Sequence, residues 1–105
     1  MTTVKGYMGS VTFDGKVIRV AKKLRGQQSI PLEHVTSVGI LNAGPGMRAI
    51  RFSVAGGSTA AAAVALGKHA DFARDPYALT FKAGRVAEFE ALVAEVETAR
   101  ASRHP

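Results

Sequence analysis

His34, His69 and His104 are the residues best suited to bind a metal or shuttle a proton, yet they stand 35 residues apart. Metal sites draw on ligands a few residues apart on one element, as in His-Glu-x-x-His, and no such spacing occurs. A lone imidazole without an orienting partner does little chemistry, so all three read as surface or structural histidines. Ser29, Ser37 and Ser53 fall in strand-like segments, and Gly56-Gly57-Ser58-Thr59 lacks the glycine-flanked serine of a hydrolase elbow. Asp14, Glu33, Asp71 and Asp75 are too scattered to nominate an acid and base, which must share one pocket. Gly44-Pro45-Gly46 places proline where a phosphate loop needs an amide. Gly67-Lys68 is followed by His69 where a hydroxyl should hold magnesium, and Ala62 replaces the first glycine. With no cysteine, thiol catalysis, disulfides and cysteine-bound zinc drop out together. The expectation is a non-enzymatic chain with no catalytic residue, cofactor or metal.

What remains is charge. The 105 residues carry a net charge of +6. Residues 1–83 hold 11 Lys or Arg against four Asp or Glu, while residues 84–105 hold three against four. A basic surface attracts acidic partners, whether nucleic acid, anionic lipid or an acidic protein face. Lys16, Lys22, Lys23 and Arg25 cluster around an early hairpin and the loop after it. Arg19, Lys22, Lys23 and Arg25, with Arg51 as an outer-face companion, are therefore the candidate interaction surface.

These cations must be positioned by strands. Ser10-Val11-Thr12-Phe13 and Val17-Ile18-Arg19-Val20 alternate polar and apolar residues around Asp14-Gly15, which predicts a hairpin closed by a two-residue type I′ turn. Val11, Phe13, Ile18 and Val20 should point inward, leaving Thr12, Arg19 and Val17 outside. A basic loop is expected over 22–27, then a short strand at 29–32 that Pro31 confines to an edge or a strand end. Val35 to Leu41 is rich in β-branched residues and ends at the breakers of 42–46. In the next strand Ile50, Phe52 and Val54 face one way, and Ala49, Arg51, Ser53 and Ala55 the other. Residues 59–76 read as a short strand or irregular crossing. Tyr77, Leu79 and Phe81 then alternate with Ala78, Thr80 and Lys82 in a final strand. From Arg85 to Ser102, Val86, Phe89, Leu92, Val93 and Val96 recur every three or four residues, the stripe of an amphipathic helix. Strands followed by one helix make an α+β, mainly β chain in which the helix buries its stripe on the sheet or in the open end of a barrel.

The order of Gly9-Ser10-Val11-Thr12-Phe13-Asp14-Gly15, Val17-Ile18-Arg19-Val20, Ile30-Pro31-Leu32 and Ile50-Arg51-Phe52 resembles an uncharacterised family of pleckstrin-homology-like domains found in actinobacteria and phages. Ala73 to Phe81 leading into Phe89-Glu90-Ala91-Leu92 extends the resemblance across roughly Lys5 to Glu97. It implies a split barrel of about seven antiparallel strands capped by the C-terminal helix, one domain over 1–105 with its core at about 5–99. It supplies no catalytic residues. The spacing from Lys16 to Lys23-Leu24-Arg25 is also similar to the basic element with which phosphoinositide-binding pleckstrin-homology domains converge on phosphate.

The expected function is that of an interaction module acting through protein contacts, self-association included, because half-open barrels leave strand edges that a partner strand can close. The alternative is peripheral binding of anionic phospholipid headgroups by the basic hairpin and loop. Nucleic acid is disfavoured, since base stacking needs exposed aromatics, and Phe13, Phe52, Tyr77, Phe81 and Phe89 all fall on core faces, leaving only Tyr7 and Phe72 free. Met1 to Gly6 leads into no apolar run, so no secretory signal is expected. The low-polarity stretch at 60–67 is far short of a bilayer span. A cytoplasmic chain, at most peripheral at the inner membrane face, is the expectation.

Overall fold

The computed structural model describes residues 1–23, 26–54 and 76–103. The irregular crossing expected over 59–76 lies outside them except for Pro76. The described chain is mainly β, with seven strands in two antiparallel sheets and one C-terminal helix.

The first sheet is a meander of β1 (Thr2–Gly6), β2 (Gly9–Phe13), β3 (Val17–Lys22) and β4 (Gly26–Pro31). Val11, Phe13, Ile18 and Val20 are buried as their alternation requires, while Arg19 is exposed and Thr12 and Val17 half-buried. Strand β1 has no counterpart in the sequence reading, because Val4 is its only buried side chain and one residue shows no period. Strand β4 begins three residues before the expected Ser29 and shortens the basic loop accordingly. Gln27 and Gln28 have weak strand preference, but pairing with β3 from Lys22↔Gly26 to Val17↔Pro31 holds them in the ladder.

The turn between β2 and β3 also differs from expectation. Only Gly15 takes positive φ, at 97°, whereas a type I′ turn needs two such residues. Asp14 serves instead through its carboxylate, whose Oδ1 accepts the amides of Lys16 and Val17, both at 2.8 Å.

The second sheet runs β5 (Val35–Asn42), β6 (Met47–Val54) and β7 (Ala78–Lys82), and a 3₁₀ turn at Leu32–His34 joins it to β4. Its inner residues Val35, Ile50, Phe52, Leu79 and Phe81 meet those of the first sheet in a shared apolar core. Ala49, Ala78 and Thr80, expected on an outer face, are buried as well. Ala49 and Ala78 form a second small cluster with Ala43, flanked by Met47, because alanines leave room for close packing behind the sheet.

Helix α1 (Val86–Arg103) follows a 3₁₀ turn at Ala83–Arg85. It buries Phe89, Leu92 and Val96, with Val86 and Val93 packed at the margin, so the expected stripe is the one used. Phe89 stacks on Phe81 with ring centroids 3.8 Å apart and planes 9° from parallel. Polar ties hold the helix to the sheets at its middle and near its C-terminal end. Thr2 Oγ1 donates to Glu95 Oε1 at 2.9 Å, and Arg100 Nη2 donates to the Thr36 carbonyl at 2.7 Å. Among the described residues no helix is long and apolar enough to cross a membrane.

Candidate functional site

The pleat separates the candidate cations. Side chains alternate across a strand, so Arg19 projects from the outer face of the first sheet, between its cross-strand neighbours Thr12 and Ser29. That face is rich in hydroxyls: Thr3 and Thr12 lie in the same row, with Oγ1 atoms 3.2 Å apart. Lys22 has the opposite parity. It stands half-buried at the end of β3, opposite Gly9 and Gly26. Lys23 is exposed in the turn that follows, and Arg25 lies outside the described residues. Arg51 belongs to the second sheet, half-buried on the face turned from the core, where its Nη1 donates to Ser53 Oγ at 2.9 Å. The structure brings Lys22 and Lys23 together and sets Arg19 and Arg51 on different faces.

Arg19 has one electrostatic role. The amide of Val17 above all, then that of Lys16, holds the Asp14 carboxyl below its ordinary value, and the Arg19 guanidinium adds a smaller pull after them. That arrangement secures a turn and keeps the Asp14 carboxyl in its charged form.

An apolar feature sits beside Lys23. Gly6-Tyr7-Met8-Gly9 joins β1 to β2, and Tyr7 and Met8 are two of the four large hydrophobic residues that are exposed among the described ones. Met8 is the single described non-glycine residue at positive φ, 54°, a conformation that costs a side-chain-bearing residue about 1–2 kcal/mol. The tip is nonetheless fixed: Tyr7 N–H donates to the Thr80 carbonyl at 2.8 Å and Lys23 N–H to the Met8 carbonyl at 2.9 Å. Lys5 precedes it by two residues, Lys22 lies opposite Gly9, and Lys82 follows Thr80 by two residues. Lysines thus flank the apolar tip in sequence and register, with Lys5 and Lys22 on opposite faces of the first sheet. The paired glycines around Tyr7-Met8 were the available signal in the sequence.

Strand β5 carries the other exposed feature. It ends the second sheet, its eight residues include no charged side chain, and Leu41 is 40% exposed on it. Proteins ordinarily protect such edges with charge, proline or a covering element.

Elsewhere an open groove of about 500 Å³ runs between α1 and the β2–β3 turn, lined by Phe13, Gly15, Ala91, Ala94, Thr98 and Glu95. Its carboxylate is the one already bonded to Thr2. Among the described residues no group of three His, Asp or Glu side chains is placed to hold a metal ion.

A family model described as Domain of unknown function (DUF4429) matches residues 6–97. The chain belongs to that family. Comparison with curated proteins and with solved structures found no match.

Proposed function

We propose that this family member is a non-enzymatic, pleckstrin-homology-like interaction module that works in the cytoplasm through protein contacts, self-association among them. The observation that carries this reading is the edge of β5, an uncharged eight-residue strand that ends its sheet with no partner strand beyond it among the described residues. Edge strands offer a row of backbone donors and acceptors that another strand can complete. The test is light scattering on the size-fractionated chain at low and high salt. A discrete oligomer at both salts supports the reading, since a ladder with apolar side chains is little screened, whereas a monomer at both salts opposes it.

A second reading is favoured by the Tyr7–Met8 tip. Aromatic and thioether side chains flanked by lysines suit the boundary of an anionic bilayer, where the apolar groups enter and each ammonium contributes roughly 1 kcal/mol near the surface. Vesicles of phosphatidylglycerol and phosphatidylcholine would then retain the chain at low salt and release it at high salt, and Lys23→Glu or Arg25→Glu would weaken retention. Retention that survives both salt and these substitutions rules the electrostatic mechanism out.

A further inference from the structure

We infer that the free edge of β5 pairs with β5 of a second copy of this chain, antiparallel and centred on Ile40, so that Leu41 of each copy lies over Gly39 of the other. The inference rests on the proposal of protein contacts and names the partner and the register.

The register follows from the ladder. Phe52 N–H donates to the Tyr77 carbonyl at 2.9 Å, on the β7 side of β6, so it is not spent on Val38, its neighbour in β5. Hydrogen-bonded and non-hydrogen-bonded pairs alternate along an antiparallel ladder. Val38, Ile40 and Asn42 therefore turn their backbone N–H and C=O groups away from β6, toward the free edge. Among the described residues none of these edge groups meets a hydrogen-bonding partner. The Thr36 carbonyl is different, because Arg100 already holds it.

A second β5 centred on Ile40 uses the open groups and spares the occupied one. Ile40 then pairs with Ile40 of the second copy and Val38 with its Asn42, all hydrogen-bonded pairs. Between them Gly39 faces Leu41 of the second copy in a non-hydrogen-bonded pair, where Cα atoms come within about 4.5 Å. Centring on Gly39 instead would call on Thr36. The side chains fit the first register: a Cβ built on Gly39 meets nothing within 4 Å, and Leu41 is large and exposed. Each copy supplies one projection and one gap, the reciprocity that a two-fold interface requires. Charge points the same way. In a chain of net charge +6 two copies repel, and β5 carries no charge to oppose their approach. The nearest cations on β6, Arg48 and Arg51, are turned along their own strand, bonded to the Met47 carbonyl and Ser53 Oγ. A ladder this short is at the small end of specific interfaces, so the dimer should dissociate on dilution.

Sedimentation equilibrium of the full chain over a concentration series, at low and high salt, tests the inference. The expected result is a monomer–dimer equilibrium at both salts, weakened at least tenfold by Gly39→Leu with no fall in melting temperature. Leu41→Ser, at an exposed position, should weaken it less. The double variant Gly39→Leu/Leu41→Gly, which exchanges projection and gap, should regain most of the association. Self-association untouched by Gly39→Leu and Leu41→Ser would overturn this register while leaving protein contacts as the function. A monomer at every concentration that also ignores anionic vesicles would overturn the second copy as partner. A monomer that binds those vesicles in a salt-sensitive way would overturn the broader reading with it.

Discussion

Strands β5 and β7 bound the same three-stranded sheet, yet four of the five residues of β7 are buried while Val35 alone is buried in β5. Composition does not separate them, since Val38, Ile40 and Leu41 are as apolar as anything in β7. Their neighbours do. The turn after β1 reaches the β7 edge, where Tyr7 N–H takes up the Thr80 carbonyl, and Gly6 makes the approach with no side chain in the way. A Cβ on Gly6 would stand 2.7 Å from both the Thr80 carbonyl oxygen and Leu79 Cδ2. Among the described residues the corresponding service at β5 is a single guanidinium at Thr36. Whether an edge is closed is thus decided by what the rest of the chain can bring to it.

The contrast can be broken most forcefully from the closed side. Phe81→Ala removes the ring that joins β7 to Phe89 of α1 and should cost about 3–5 kcal/mol, measured by urea unfolding, with the free energy lost to cavity and lost burial. Gly6→Val forces a side chain against backbone and should cost about 1–3 kcal/mol in the same assay, because overpacked sites relax only by moving the strand. On the open side Gly39→Ala enters empty space and should change stability by no more than about 1 kcal/mol, in the stabilising direction expected when alanine replaces a strand glycine. A loss at Gly39 equal to that at Gly6 would abolish the distinction between the two edges.

The smallest effect belongs to the Asp14 turn, remote from both edges and so a control for them. Its carboxyl titrates below its unfolded value in the folded chain, so the stabilisation it lends is present above the unfolded pKa and is lost as pH falls through the folded one. Between pH of about 5 and about 2 the melting temperature should therefore fall more for the wild-type chain than for Asp14→Asn, which keeps an acceptor oxygen that does not titrate.

The sequence was most legible where one side of an element meets the core and the other meets water. The stripe Val86, Phe89, Leu92, Val93 and Val96 located α1 to within a residue at each end, and the alternation around Asp14-Gly15 assigned the inner residues of β2 and β3 correctly. Legibility failed where that contrast vanishes. Ala49, Ala78 and Thr80 carry small side chains whose burial depends on what packs behind them, and β1 offers a single buried residue. For the candidate site, clustering in sequence was a poor guide, since successive residues of a strand face opposite ways and Arg19 and Lys22 part company within one element. Tyr7 is exposed as expected, but Tyr7 and Met8 fall outside a candidate surface defined by charge, because their mark is apolar exposure at a turn.

Local chemistry by itself determined the helix, the hairpin partners, the large inward residues of β2, β3 and α1 and the excess of cations in the first 83 residues, because periodicity, turn preference and charge are properties of neighbouring residues. Tertiary structure alone decided which edge is closed, which cations share a face and where Gly39 and Leu41 stand open. Those outcomes depend on residues far apart in the chain, such as Tyr7 and Thr80, or Arg100 and Thr36, meeting only once the two sheets and the helix have packed.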